Sequence, residues 1–241
     1  MSNNYLNEKK ALLRLYDRIS RPARVIFILE FGETLTDRLI LDIKSRFEAM
    51  IPELPATRFK KPLGTFIVYT GMYLAMYQVL KRQGFGVEWV GNAIWDIGVH
   101  ISRQAPRIVT KAIGRSRFTD AYLAKLKERA SISQLRELPG DYVFRFVEGE
   151  GCEFDFGVDY FECASLKFLG QQNARELAPF LCPMDILYSD MFGWGLKRTK
   201  TLAQGDAICD FRFRKGKPTE VAIPSSLERH IQALKASQPV D

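Results

Sequence analysis

Four short stretches between Glu162 and Phe213 carry the thiols, carboxylates and arginine that could do chemistry. They are Glu162-Cys163, Cys182-Pro183-Met184-Asp185, Arg198-Thr199-Lys200-Thr201 and Cys209-Asp210. Because proline is favoured at the first helical position, Pro183 predicts that Cys182 caps the start of a helix. The positive end of a helix lowers the pKa of a thiol, so Cys182 would offer a thiolate near neutral pH.

Strand alternation predicts that Arg198 points inward. In the stretch Leu196 to Leu202, Arg198 shares a face with the two leucines at the ends of the stretch. An arginine that faces a core needs a carboxylate from the protein or from a ligand, since an isolated buried charge is too costly. Asp185 has two interpretations, either ordinary electrostatics in the first turn of a helix or binding of a cationic substrate group beside the thiol.

The other thiols also fall on inward faces. Cys209 alternates with Phe211 and Phe213, and Cys163 alternates with Phe161. Inward cysteines are most often small hydrophobic residues, but three such thiols beside an aspartate and an arginine are a stronger case for chemistry than any one of them.

The four cysteines do not favour a redox or zinc motif. Their spacing contains no CxxC pair, which argues against a thioredoxin-like or zinc-ribbon site. A metal site built from Cys163, Cys182, Cys209 and Asp185 is the weaker alternative to a thiol nucleophile, because histidines are few and the thiols lie on separate elements. We therefore predict neither a metal nor a cofactor.

The first half of the chain reads as helices. Apolar stripes predict two packed helices at Tyr5 to Ser20, ended by Pro22, and at Glu33 to Met50. Leu63 to Leu80 has no charge and is long enough to span a membrane. Its tyrosines, spaced by four, and its other polar residues favour a buried core helix whose tyrosine stripe forms a core wall or, as the lesser alternative, lines a ligand cavity.

Two further helices are predicted at Glu88 to Arg103 and at Thr119 to Ala130. On the first, Asp96 and His100 form an i, i+4 pair. Either Asp96 is the hydrogen-bond partner of a partly buried histidine, or it is a carboxylate that orients a general base. His230 lies in a polar tail helix and is expected to be solvated.

After the turn at Leu138 to Asp141 the periodicity changes to two. The predicted strands are Tyr142 to Val147, Cys152 to Cys163, Leu196 to Leu202 and Ala207 to Phe213, with short helices at Asn173 to Phe180 and from Cys182 to Phe192. This order predicts an α+β fold in which an N-terminal helical bundle packs on a four-stranded antiparallel sheet of order β-β-α-β-β. We expect one domain over residues 1–241, with a helical half at 1–138, a sheet-containing half at 139–216 and a tail at 217–241.

Composition limits the partners. The net charge is +7, and residues 1–140 carry 23 Lys and Arg against 13 Asp and Glu. The basic residues are scattered in pairs, with no groove-reading motif, so we predict no nucleic-acid partner. The amino terminus shows no secretion signal and the thiols are expected to be reduced, which predicts a cytoplasmic protein without stable membrane insertion. A homo-oligomer is left open.

The motif pattern resembles a known family. Glu162-Cys163, Cys182-x-x-Asp185, Arg198-Thr199-x-Thr201-Leu202-Ala203-x-Gly205 and Cys209-Asp210-Phe211-Arg212-Phe213 are similar to the L-2-amino-thiazoline-4-carboxylic acid hydrolase family. Those enzymes hydrolyse a cyclic isothiourea to an N-carbamoyl amino acid. The order of helices and sheet is also similar to 4-vinyl reductase-type domains and TRAPP subunits, a likeness of architecture alone.

The resemblance implies a hydrolase that opens a C–N bond of a small cyclic amidine or isothiourea carboxylate. Asp185 would hold the cationic C–N unit, Cys182 or Cys163 would be the nucleophile with Cys209 nearby, and Arg198 would bind the substrate carboxylate. Thr199 or Thr201 would assist binding. The alternatives are a non-catalytic ligand-binding or scaffold domain of the 4-vinyl reductase type, and a peripheral membrane protein that uses the basic first half.

Overall fold

A computed structural model describes residues 5–59, 63–151 and 153–236. Cys152, Pro62 and the ends of the chain lie outside the described residues. The described helices are α1 (Lys9–Met50), α2 (Leu63–Arg82), α3 (Val87–Arg103), α4 (Arg107–Ser116), α5 (Asp120–Ser133), α6 (Ala164–Gln171), α7 (Ala178–Leu181), α8 (Met184–Phe192) and α9 (Ser225–Ala236). The described strands are β1 (Val143–Glu148), β2 (Phe156–Glu162), β3 (Leu196–Arg198), β4 (Cys209–Phe213) and β5 (Glu220–Val221).

Helix α1 is a hairpin of two arms that turns at Gly32. This glycine has φ 72° and ψ 171°, a non-helical conformation that residues with a side chain rarely adopt. The arms at 9–31 and 33–50 run antiparallel, since the Tyr16 hydroxyl donates to the Ile40 carbonyl over 2.9 Å and Lys44 pairs with Asp17 over 2.6 Å. The two predicted helices therefore exist, but Pro22 lies inside the first arm and does not end it.

The sheet differs from the predicted one. It has five strands in the order β1-β2-β4-β3-β5, where β5 runs parallel to β3 and the other neighbours are antiparallel. The predicted four-stranded antiparallel layout is wrong because Glu220 and Val221, a strand of two residues, add a parallel edge. The chain is an α+β fold with a mixed sheet.

Three of the four predicted strands are shorter than predicted, whereas β1 keeps its predicted length and is shifted by one residue. The β3 strand ends at Arg198 because Thr201 accepts a hydrogen bond from the Gln204 amide and starts a 3-10 turn at Leu202–Gln204. One face of the sheet carries Phe144, Phe156, Val158 and Phe213, all buried in a core that also contains residues of α1, α2 and α3.

Helix α2 lies inside this core. It is long and apolar enough to cross a membrane, and 72% of its most apolar window is buried within the protein. Thr70 and Tyr77 are buried on it with hydrogen bonds to Ser165 and Glu176. The helix is thus the core element that its polar residues predict.

Two helices that bear on the site escaped the sequence analysis. Helix α6 begins directly after β2, and helix α4 packs against α8 at Gly114, where an added Cβ would collide with the Phe192 carbonyl. Both are short, at eight and ten residues, and helix α6 contains a glycine, so periodicity indicates them only weakly.

Candidate active site

Arg198 and Asp185 form a buried ion pair at the centre of the site. The Arg198 Nη1 atom lies 2.5 Å from Asp185 Oδ2 and 3.3 Å from the Cys182 carbonyl oxygen. The Arg198 side chain is 1% exposed, whereas 31% of the Asp185 side chain stays exposed. Arg198 is therefore buried and paired with a carboxylate, as its place on the inward strand face predicts, and the Asp185 side chain is partly exposed.

Half of the Arg198 guanidinium is left without a partner. Its Nε and Nη2 atoms are buried and form no hydrogen bond with the described residues. These two atoms are the side-on fork of the guanidinium, the geometry that binds a carboxylate with two parallel hydrogen bonds. The guanidinium carbon lies 5.3 Å from the centre of the Phe211 ring, which holds the group in place from one side.

The carboxyl of Asp185 is partly desolvated. Burial raises the pKa of Asp185, while the nearby charges of Arg198 and Arg117 and the Arg198 hydrogen bond lower it. Burial is the largest of these effects, so the carboxyl takes up a proton at a higher pH than an exposed aspartate. The two cations Arg198 and Arg117 are therefore close enough to act on the Asp185 carboxylate.

The predicted N-cap role of Cys182 is wrong. Cys182 follows the last residue of α7, and Pro183 is the N-cap of α8. Both residues have helical backbone angles, because the chain passes from one helix to the next without leaving the helical conformation. Burial raises the pKa of the Cys182 thiol far above its usual range, and Arg198 offsets this only in part. The thiol is neutral at neutral pH.

Cys163 occupies the position that the sequence assigned to Cys182. It is the N-cap of α6, a helix of eight residues, and it comes directly after the last residue of β2. Burial raises the pKa of the Cys163 thiol, and the backbone amides of Leu166 and Ser165 lower it, as does the charge of Lys167. Of the three described thiols, Cys163 has the environment that best favours a thiolate.

Several contacts fix the backbone around Cys163. Glu162 accepts hydrogen bonds from Arg136 over 2.8 Å and from Lys167 over 3.0 Å. The Ser165 hydroxyl lies 2.8 Å from both the Thr70 hydroxyl on α2 and the Tyr142 hydroxyl before β1. The start of α6 is therefore held from both sides, and with it the thiol.

Cys209 opens β4 opposite Tyr160 of β2. Its sulfur accepts a hydrogen bond from the Leu202 amide over 3.2 Å, and burial raises the pKa of the thiol to about 11. The three described cysteines are free. Each is close enough to Asp185 for that charge to raise the pKa of its thiol, so the structure brings together Cys163, Cys182, Cys209, Asp185 and Arg198.

The two predicted threonines are engaged with the protein. The Thr199 hydroxyl donates a hydrogen bond to Asp210 over 2.6 Å, and Asp210 also accepts hydrogen bonds from the backbone amides of Thr199 and Lys200. Thr201 is buried, and its hydroxyl accepts the Gln204 amide over 3.1 Å. Their contacts stabilise the turn after β3. A substrate role for either threonine stays a prediction.

The histidines are arranged differently from the prediction. Asp96 binds His230 of α9, with Nε2 3.0 and 3.1 Å from its two carboxylate oxygens. His100 instead lies 2.8 Å from the Gln104 amide nitrogen. His230 is thus not a solvated tail residue, and the predicted pair of Asp96 and His100 is wrong because the tail helix returns to α3. Within residues 5–59, 63–151 and 153–236, no group of three or more His, Cys, Asp or Glu side chains could hold a metal ion.

Sequence reasoning missed the residues that complete the walls of the site. Tyr160 and Tyr188 are close enough to Asp185 for its charge to raise their pKa values, and neither hydroxyl bonds to a described residue. Tyr160 is in phase with Phe156 and Val158 on the inward face of β2, so alternation could have indicated it. Arg117 carries no local signal, because its neighbours at the site come from β4 and from the segment before β3.

Comparison with known proteins identifies the family. A family model described as L-2-amino-thiazoline-4-carboxylic acid hydrolase matches residues 65–213. The chain belongs to the L-2-amino-thiazoline-4-carboxylic acid hydrolase family. The resemblance noted from the motifs is therefore confirmed, and the family indicates a hydrolase. No curated protein and no solved structure matches the chain.

The matched region of this hydrolase family includes the whole site. It extends from α2 to the last residue of β4, so it includes all three described thiols, Asp185, Arg198 and Arg117. The hairpin α1, strand β5 and the tail helix with His230 lie outside it. The part of the chain that the family shares is thus the part that contains Asp185 and the residues that act on its charge.

Proposed function

We propose that the protein hydrolyses a small cyclic amidine or isothiourea that carries a carboxylate. The unpaired side-on fork of Arg198 carries this proposal. A buried N–H group without a partner costs about 1–3 kcal/mol, and a substrate carboxylate would satisfy two of them at once. The hydrolase family of the chain supports the same substrate class.

Asp185 would hold the cationic end of the substrate. One of its oxygens binds Arg198, and the carboxylate is partly exposed, so that a ligand can reach it. An amidine becomes more electrophilic when a carboxylate holds it as the protonated form. With Arg198 on the carboxylate and Asp185 on the amidinium, the reacting carbon is fixed between two charges of opposite sign.

Cys163 is the nucleophile that this geometry favours. Its sulfur would bond to the amidine carbon, the bond from that carbon to the ring sulfur would break, and the thiol proton would end on the released sulfur. Water would then add to the same carbon, and breaking of the bond to Cys163 would return the thiol. The product keeps both nitrogens in a carbamoyl group. The sequence analysis predicts cleavage of a ring C–N bond instead, which would leave the carbamoyl group on sulfur. Identification of the product as an N-carbamoyl or an S-carbamoyl amino acid therefore decides between the two cleavages.

A ligand-binding domain is the second candidate. An apolar recess between α1, α2 and α3, lined by Tyr16, Met72, Tyr73 and Ile97 among others, is the feature such a domain would use. None of the predicted site residues lines this recess. The ion pair beside three thiols has no purpose in an apolar binding module, which supports the enzyme over it.

The deciding experiment measures hydrolysis of 2-aminothiazoline-4-carboxylate by purified protein, with product identified by mass spectrometry. We expect Cys163→Ala to lower kcat by about 10³-fold or more, because it removes the attacking atom, and Cys182→Ala and Cys209→Ala to lower it far less. Chelator treatment should have no effect. Activity that survives Cys163→Ala would reject this nucleophile, and folded wild-type protein without turnover on any cyclic amidine carboxylate would reject the function.

A further inference from the structure

Arg117 is a second cation at the site that the proposed chemistry does not use. It is the C-cap of α4, and its guanidinium carbon lies 4.0 Å from the centre of the Trp194 ring and 4.4 Å from that of Phe213. The close approach of Gly114 to the Phe192 backbone brings the end of α4 to this place. The aromatic rings hold the guanidinium over the inner face of the sheet.

No carboxylate among the described residues forms an ion pair with this arginine, and Asp185 interacts with it only through its charge. Its guanidinium makes no hydrogen bond or ion pair with the described residues, and its Nε atom is buried. The indole Nε1 of Trp194, against which it stacks, is also buried without a partner. Two neighbouring side chains therefore each carry a buried N–H donor without a partner, and an unpaired buried donor is unfavourable unless a ligand accepts from it.

Arg117 and Arg198 lie against neighbouring rings of one strand. Arg198 sits over Phe211 and Arg117 over Phe213, and these two rings are 6.2 Å apart, centre to centre. The charges of both arginines lower the pKa of Asp185. The site thus contains two guanidinium groups and one carboxylate, which leaves an excess of one positive charge when a ligand with a single carboxylate and a cationic ring is bound.

We propose that the substrate carries a second carboxylate, which Arg117 and the Trp194 indole bind while Arg198 binds the first. The preferred substrate class is then a cyclic amidine or isothiourea dicarboxylate. This inference rests on the proposed function for the reacting part of the ligand, but the paired anion sites are tested without turnover.

The binding test uses glutarate and butyrate, which differ by one carboxylate, with calorimetry on the full chain. A second charge-assisted contact should make glutarate bind about tenfold more tightly or better. Arg117→Gln should remove this preference, and Trp194→Phe, which keeps a stacking ring but lacks the N–H, should weaken glutarate several-fold. Arg115→Gln, an exposed arginine on the same helix, is the matched control and should change nothing.

The results separate this inference from the proposed function. Equal affinity of wild-type protein for the two acids, or a preference that survives in Arg117→Gln, would overturn the second anion site. In the kinetic test, 2-aminothiazoline-4,5-dicarboxylate should show a lower KM than the 4-carboxylate, and Arg117→Gln should raise KM only for the diacid. If neither ring compound is hydrolysed, the proposed function fails while the binding result still decides the role of Arg117.

Discussion

Replacing Arg198 by methionine isolates the energy of the buried ion pair. Arg198→Met leaves Asp185 without its 2.5 Å partner. Loss of one partner from a buried pair costs about 3–5 kcal/mol. The partial exposure of Asp185 and the removal of two unpaired N–H groups reduce this cost, so we expect a loss of about 2 kcal/mol in the free energy of unfolding at pH 7.

A double variant supplies the reference. Arg198→Met with Asp185→Leu replaces both charges by apolar groups of similar size, which is often neutral or stabilising. We therefore expect the double variant to be more stable than Arg198→Met alone and close to the wild type. Urea unfolding of the four proteins of this cycle, followed by circular dichroism, gives the coupling energy.

The loss should depend on pH with a definite sign. Without Arg198, the folded-state pKa of Asp185 lies still further above its unfolded value of about 3.9. The folded protein then binds the proton more tightly than the unfolded chain, so stability falls as pH rises through this range and is regained as pH falls toward 4. The destabilisation by Arg198→Met should be greatest at neutral pH and fade in acid.

A matched control exists on the other face of the sheet. Arg145 pairs with the buried Asp159 over 2.8 Å, but Asp159 also binds Arg212 over 2.7 Å. Arg145→Met therefore leaves Asp159 with a cation and should cost less than about 1 kcal/mol. If Arg198→Met is as stable as the double variant at pH 7, Asp185 does not carry a desolvated charge, and the reasoning on the pair is refuted.

Two further predictions concern pH and helix packing. Because burial raises the pKa values of both Asp185 and Cys163, kcat/KM should rise with pH from acid through neutral to alkaline conditions. A profile with a flat plateau from pH 5 to pH 8 would contradict this. Gly114→Ala forces a methyl group against the Phe192 carbonyl and should lower the free energy of unfolding by about 2–3 kcal/mol. The control Gly170→Ala, in a helix with nothing within 4 Å of its Cβ position, should be neutral or stabilising by about 0.5–1 kcal/mol. Equal midpoints of urea unfolding for the two variants would refute the close contact of α4 and α8.

The sequence predicts those features of the fold that depend on local periodicity. The arms of α1, the core helix α2 and the alternating strands β1, β2 and β4 all follow from apolar spacing. Strand β5 does not, because two residues cannot show a period and their pairing with β3 comes from a segment more than twenty residues away. The end of the first arm was misplaced because Pro22 is a strong local breaker, whereas the turn at Gly32 depends on a positive φ that composition does not reveal.

The site was predicted in composition but not in roles. Arg198 and the inward thiols follow from alternation along a strand. The choice between Cys163 and Cys182 does not follow from alternation. A thiol at a helix N-terminus can be recognised only if the helix itself is predicted, and α6 is hard to predict because it has eight residues including Gly170. Pro183 pointed to the wrong thiol, since proline also occurs at the junction of two helices that follow each other directly.

Charge pairing between distant segments explains the remaining difference. Asp185 pairs with Arg198 across 13 residues and Asp96 with His230 across 134, and neither separation has a sequence signature. A cation with no acidic partner is still harder to see, because Arg117 is one of many basic residues in the first half of the chain. Arg117 can be distinguished from these residues only from the structure, which shows the aromatic rings around it and no hydrogen bond or ion pair with the described residues. An arginine that packs against aromatic rings, forms no hydrogen bond or ion pair with the described residues and lies within electrostatic reach of Asp185 is therefore a direct argument for an anionic ligand here.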